Sequence, residues 1–223
     1  MLPRVIIHNA VSADGRIDRF TPDVGQFYTL AAHWQEDATL AGSDTLLAAY
    51  PSPPATEEHA AADTPEPESN TPRPLLVVPD SRGRVRFWHQ LLREPYWRSG
   101  VALCSRATPH SHLAYLRQQQ IDYLVAGDDY VDCRLALEEL HARYAVQVVR
   151  VDSGGTLNGV LLRAGLVDEV SVVIYPSLVG GTTPRSLFRA PDLTSSAGVI
   201  SLKLLHEERL EGDTIWLRYA VEG

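Results

Sequence analysis

Between Val146 and Tyr175 the chain reads VQVVRVDSGGTLNGVLLRAGLVDEVSVVIY, and this stretch limits the folds open to it. Two apolar runs rich in β-branched residues flank a segment of helical periodicity. Parallel strands cannot be joined by a tight hairpin, so a strand, a helix and a second strand in succession point to a βαβ crossover in a parallel sheet. Leu157, Val160, Leu161 and Ala164 recur at i, i+3, i+4 and i+7, one face of a helix. Gly165 stands where a left-handed residue would end that helix, and Gly154 and Gly155 fall where it begins.

The same grammar recurs along the chain. Arg4–Val11 reads as a first strand, followed by a turn at Asp14-Gly15 in which Asp14 is a turn former. Gly25–Gln35 has helical spacing with Phe27, Leu30, Ala31 and Trp34 on one face. A short strand, Ala38–Ala41, leads through Gly42 and a candidate N-cap, Ser43, into a helix carrying Thr45 in its first turn. Strands follow at Leu75–Val78, Val101–Cys104 and Tyr123–Val125, with a loop-rich stretch through Trp97. Helices follow near His112–Gln119 and over Cys133–Tyr144, the latter with Leu135, Leu137, Leu140 and Tyr144 facing inward. Ile200–Glu208 and Thr214–Val221 read as a closing antiparallel pair. The fold class expected is α/β: three layers, a mostly parallel mixed sheet with helices on both faces and an antiparallel C-terminal edge. Residues 1–223 are read as one domain. A Pro/Glu-rich insertion at 51–74 holds too few large apolar residues to offset its ordering entropy and is expected to be mobile.

Composition excludes some classes. With Lys+Arg 20 against Asp+Glu 28, a net charge of -8 and no basic stripe, nucleic acid is a poor partner. No run approaches the roughly 20 apolar residues of a membrane helix, and the start lacks signal-peptide architecture, so a cytoplasmic protein is expected. Cys104 and Cys133 sit in or beside apolar stretches and read as buried thiols. The histidines form no metal-ligand spacing; His110 and His112 read as surface residues. The adjacent Asp168 and Glu169 point apart at a strand entry and read as structural. Trp216 and Tyr219 read as core or dimer contacts.

A helix N-terminus offers unsatisfied N–H groups and the positive end of a dipole, and glycine lets an anion come close. A strand-to-helix turn that holds no ligand would look the same from sequence. The turns at Gly42 and Gly154 are together expected to grip one diphosphate, since ligands in open α/β sheets gather at the carboxyl ends of strands. No G-x-G-x-x-G or G-x-x-x-x-G-K-[ST] is present, which argues against an ordinary dinucleotide-binding dehydrogenase and a P-loop NTPase.

AVSADGRID, DATLAGSDTLLA, PLLVVPDSRGR and above all VDSGGTLNGVLLRAGLVDEVSVVIYPSLVGG resemble the reductase family of riboflavin biosynthesis, whose fold is like that of dihydrofolate reductase. The resemblance implies a homodimer that uses NADPH to reduce a ribosylamino-pyrimidine phosphate at C1′, converting an imine to the ribitylamine. It implies cofactor contacts at Ala10, Gly42, Thr45, Gly154, Gly155, Thr156, Leu157 and Asn158. Ser81 and Arg82 are placed for the adenosine 2′-phosphate, with Ser105-Arg106 as rival. Asp152 stands where the family has a Glu contacting substrate, and is the candidate catalytic acid. Tyr28 and His33 are the further substrate candidates. The chain departs from the family where Ala49 and Tyr50 replace two acids and where two substrate arginines are missing, one after Pro51 and one near His33. That departure keeps open a dihydropterin-type reductase and a catalytically silent NADPH-binding protein.

Overall fold

The computed structural model describes residues 1–50, 73–183 and 185–222. In chain order the elements are β1 (Arg4–Ser12), α1 (Val24–Ala31), β2 (Ala38–Leu40), α2 (Ser43–Ala49), β3 (Leu75–Pro79), α3 (Trp88–Leu92), β4 (Ser99–Cys104), α4 (His110–Gln118), β5 (Asp122–Val125), α5 (Cys133–Tyr144), β6 (Val148–Val151), α6 (Gly155–Arg163), β7 (Glu169–Tyr175), β8 (Leu202–Arg209) and β9 (Ile215–Val221). The chain divides into two compact units whose sequence segments alternate. One comprises residues 1–3 and 37–147, the other residues 4–36 and 148–223. The insertion read at 51–74 lies, but for its last two residues, outside the described ones.

The first unit holds a parallel four-stranded array in the order β5-β4-β3-β2. Its core gathers Leu76, Val78, Phe87, Trp88, Leu91, Ala102, Cys104 and Leu116. The stretch expected to be loop through Trp97 contains α3, a helix of only five residues, too short for its periodicity to show. It forms because Trp88 and Leu91 are buried; the Trp88 ring passes so close to Gly100 that a Cβ there would stand 2.7 Å from it. On α5 the buried residues are Ala136, Leu137 and Leu140, whereas Leu135 is 47% exposed. Helical spacing selects 136, 137 and 140 as neighbours and turns 135 outward. Ser43 is not the cap of α2: Gly42 occupies that position, and the Ser43 hydroxyl accepts a bond from Arg84 instead.

The second unit orders its strands β6-β1-β7-β9-β8. β6 and β7 run parallel to β1, β9 runs antiparallel to β7, and β8 closes the edge with a bulge between Leu204 and His206. Helices cover both faces. Even-numbered residues of β1 face α1, where Ile6, Phe27, Trp34, Val173, Tyr175 and Trp216 form a core. Odd-numbered residues face α6, where Asn9 reaches Asn158. The expected mixed sheet with an antiparallel C-terminal edge is therefore present.

On α6 the buried face is not the apolar stripe. Gly155, Asn158, Gly159 and Leu161 are buried, and Val160 is half exposed. Small residues are needed there because the backbone of 186–190 runs along the helix. A Cβ on Gly155 would stand 2.1 Å from the Ser186 carbonyl oxygen, and one on Gly159 1.8 Å from that of Arg189. The helix ends as expected: Gly165 takes φ +61°, its N–H bonds the Leu162 carbonyl, and Leu166 N–H bonds that of Leu161. Both bonds together make a Schellman motif.

Candidate active site

In the second unit the carboxyl end of β6 is the centre of the polar groups. Val151 pairs with Ile7, so β1 continues past β6 and places Asn9 beside the turn that follows. Asn9 Nδ2 donates to the Ser153 carbonyl at 2.8 Å, and Asn158 Nδ2 donates to Asn9 Oδ1 at 2.8 Å and to the Leu187 carbonyl at 2.9 Å. These bonds fix Asp152–Gly155 between a strand and the first turn of α6. Gly154 caps that helix in extended conformation, and among the described residues only the Ile17 Cδ1 atom, at 3.5 Å, would meet a Cβ there. Gly154 thus leaves room beside the backbone, whereas Gly155 is closed off by Ser186. Thr156 is exposed, Leu157 partly so, and Asn158 fully buried; its visible work is to hold the turn.

Asp152 follows β6 on the face that α1 covers. Its Oδ2 accepts from the Tyr28 hydroxyl at 3.2 Å and from Arg150 Nη1 at 3.3 Å. Arg150 is buried and bound by Glu36 through Nε at 2.7 Å. Burial works against its charge, but Asp152 and Glu36 more than offset this, and its pKa is raised. Ala10 lies on the same sheet face, part-buried beside the core. His33 is not brought to this cluster. It sits over β9 against Trp216, at 5.9 Å between ring centroids, and burial lowers its pKa with Arg218 adding to the effect. The two substrate candidates are thus split, Tyr28 on α1 toward β6 and His33, in the 3-10 turn Ala32–Trp34 that follows α1, toward β9.

Between them lies a residue the sequence reading passed over. His8 is fully buried, stacked on Phe27 at 4.2 Å. Trp216 Nε1 donates to Ser171 Oγ at 2.8 Å, which frees the Ser171 hydroxyl to donate to His8 Nδ1 at 2.9 Å. His8 Nε2–H then donates to the Phe27 carbonyl at 3.1 Å. Burial pushes the imidazole pKa down to about 3; the Phe27 carbonyl opposes this and Arg150 adds to it. A histidine inside a β-branched run was the available signal. Glu169 is structural as read: it is buried and receives Arg218 Nε at 2.6 Å, Arg4 Nη2 at 2.5 Å and Trp34 Nε1 at 3.2 Å. Asp168 accepts the Val5 N–H at 2.7 Å. Asp14 turns the chain as expected, and bonds from Ser12, Val179 and Gly180 hold its carboxyl down at about 2.

In the first unit, a cavity of about 460 Å³ opens beyond the carboxyl ends of β3, β4 and β5, lined by Ser81, Arg82, Ala107, Pro109, Asp129 and Tyr130. Its floor is fixed. Thr108 Oγ1 donates to the Ser81 carbonyl, and Val131 N–H to Ser81 Oγ, both at 3.0 Å. The Arg82 side chain is exposed, and Tyr130 is 68% exposed. The rival pair is otherwise engaged: Ser105 is buried and donates to the Asp129 carbonyl, and Arg106 is bound to Asp128. The expectation that His112 lies on the surface is wrong. Its ring is fully buried against Gly83, at φ +65°, where a Cβ would stand 2.6 Å from it. His112 thereby shapes the turn that carries Arg82. On α2, Gly42 is buried and Thr45 partly so, with the Thr45 N–H bonded to the Gly42 carbonyl. Tyr50, the departure from the family pattern, packs on Phe87 at 5.5 Å.

Parallel strands followed by an antiparallel C-terminal edge, with helices on the faces, define an α/β protein of dihydrofolate-reductase-like fold. Residues 3–216 match the model of the RibD C-terminal domain, and the chain belongs to that family of riboflavin-biosynthesis reductases. A relative from Methanothermobacter thermautotrophicus, named 2,5-diamino-6-ribosylamino-4(3H)-pyrimidinone 5′-phosphate reductase, is 32% identical over 100% of both chains. Among solved structures, Acinetobacter baumannii RibD superposes with a TM-score of 0.71 at 22% identity. This chain is covered to 99% and spans 58% of that one. A pyrimidine reductase-like protein of Corynebacterium diphtheriae gives 0.71 at 17% identity, covering 99% of this chain and 92% of its own. Among the described residues no helix is long and apolar enough to cross a membrane, and no cluster of His, Cys, Asp and Glu suits a metal.

Proposed function

We propose that this chain is an NADPH-dependent reductase that converts a ribosylamino-pyrimidine 5′-phosphate to its ribitylamino form. The observation that carries the reading is the Asp152 carboxylate, set at the carboxyl end of β6 two residues before an open glycine turn and held by Tyr28 and Arg150. The end-to-end match to a relative named for that reaction supports this substrate over a dihydropterin, and supports a working enzyme over a silent binding protein.

A bound nicotinamide would supply the hydride. Each unit, taken by itself, carries residues that fit part of such a group. In the second unit, Gly154 leaves space at the start of α6 for a diphosphate near Thr156 and Leu157, and Ala10 lines the same sheet face as Asp152. Asn158 acts there by bracing the turn. In the first unit, Arg82 offers a planar guanidinium for a 2′-phosphate, with Ser81 beside it and the Tyr130 ring available to an adenine. Gly42 and Thr45 are the further cofactor candidates on that unit. The chain is proposed to act as a single reductase domain and as a homodimer, for which the apolar edge of the sheet is suited: Leu202, Leu204 and Leu205 of the outer strand β8 and Ile215 of β9 are each 43–50% exposed.

The test is turnover. Loss of reduced-nicotinamide absorbance is followed with the ribosylamino-pyrimidine phosphate and, separately, with dihydropterins. Turnover of the former with NADPH bears out the reading; turnover of dihydropterins alone replaces it. Arg82→Ala should raise the KM for NADPH about tenfold or more and leave that for NADH within about twofold, since one charge-assisted phosphate bond is worth about 1.5–3 kcal/mol.

A further inference from the structure

We propose that Tyr28 and Asp152 form an acid–base pair that opens the ribosyl ring of the substrate, an activity separable from the reduction. The inference rests on the substrate assigned above. In a closed ribosylamine, C1′ is saturated and carries both the amine nitrogen and the ring oxygen O4′. It has no double bond to receive hydride until the ring opens. Opening moves one proton: the N–H proton leaves, the C1′=N bond forms, the C1′–O4′ bond breaks, and O4′ takes up a proton. The step is redox-neutral and balanced without a nucleotide. It calls for one proton acceptor and one proton donor placed close together, because the nitrogen and O4′ share a carbon.

The cluster after β6 has that form. Asp152 Oδ2 already accepts from Tyr28 and from Arg150, at 3.2 and 3.3 Å. Oδ1 makes no such bond among the described residues, and the Asp152 side chain is 27% exposed. A carboxylate so engaged is an acceptor, so the structure assigns it the base role in ring opening, and the acid role expected from the sequence comes only with the later return of that proton. The Tyr28 hydroxyl is the donor beside it, on a side chain half open to solvent. Arg150 is a donor with no proton to give up at working pH. Its guanidinium carbon lies 5.8 Å from the centre of the Tyr28 ring, where its charge favours the phenolate left after donation. Glu36 pins Arg150 from the other side at 2.7 Å. After opening, Asp152 returns its proton to the imine nitrogen as hydride reaches C1′, and the exposed phenolate recovers a proton from water.

The two anomers of a ribosylamine interconvert through the open-chain imine, so ring opening can be read without nucleotide. The protein is added to 2,5-diamino-6-ribosylamino-4(3H)-pyrimidinone 5′-phosphate with no cofactor, and anomer exchange is measured by NMR magnetisation transfer. The wild type should speed exchange, and Tyr28→Phe and Asp152→Asn should each lower that acceleration at least about tenfold, the low side of what one acid or base contributes. Tyr28→Phe keeps the ring edge against Phe27, at 5.2 Å between centroids, so its melting temperature and the KM for the pyrimidine should hold while kcat falls. A wild type that reduces the pyrimidine without speeding exchange overturns the inference, as does a Tyr28→Phe enzyme that exchanges at the wild-type rate. A wild type inert in both assays overturns this inference and the proposed function together.

Discussion

Lowering the pH should cost this fold a calculable amount of stability through His8. The imidazole is fully buried, and its folded pKa is about 3, against 6.5 for an exposed histidine. Between those values the unfolded chain binds a proton that the folded chain refuses. Stability from this site is therefore present above pH 6.5 and lost as the pH falls toward 3. Each pH unit in the window is worth about 1.4 kcal/mol, so roughly 3 kcal/mol should disappear between pH 7 and pH 4. Other groups titrate over the same range, so the measurement is a difference. Urea unfolding is followed at both pH values for the wild type and for His8→Gln, which cannot titrate. Whatever the substitution costs at pH 7, the stability gap between the two proteins should shift by about 3 kcal/mol toward the variant at pH 4. A gap constant to within about 0.5 kcal/mol would refute the claim that the Phe27 carbonyl and Ser171 hold a neutral ring in a site closed to water.

Other outcomes follow from the same geometry. Gly159→Ala should destabilise the fold by about 1–3 kcal/mol in thermal or chemical unfolding, because the new methyl meets the Arg189 carbonyl at 1.8 Å. Asn158→Ala should cost about 1–3 kcal/mol, since it strands Asn9 Oδ1 and the Leu187 carbonyl without their donor. Burial pushes the thiols of Cys104 and Cys133 up to about 12 and about 11, so alkylation at pH 8 should be slow until denaturant is added. Asp152→Asn should lower turnover about 10²–10⁴-fold with little change in NADPH affinity by fluorescence titration.

What was legible in the sequence was whatever periodicity encodes. The strands at Arg4, Leu75 and Glu169 announce themselves by runs rich in β-branched residues, that at Val101 by a short apolar run, and α5 by its spacing. The face that α6 buries was not legible, because it is chosen by a backbone passing over Gly155 and Gly159 from a segment some thirty residues later. His112 escaped for a related reason: only the turn at Gly83 creates its pocket. Near β6, the glycine turn could be found from local pattern, and Asp152 from the family resemblance. The split between Tyr28 and His33 could not. Both lie on one short helical stretch, and which strand each meets depends on the order β6-β1-β7-β9, a property of the sheet.

The second unit is assembled from the two ends of the chain, with residues 37–147 intervening. A ribosome adding about 5–20 residues per second would take on the order of ten seconds to pass from Glu36 to Val148. For that interval β1, whose Ile6 and Ile7 end up fully buried, has emerged without either parallel neighbour with which it pairs in its own unit. The contiguous middle segment can begin folding first, and the nascent amino-terminal strand must stay unaggregated until its neighbours have been translated.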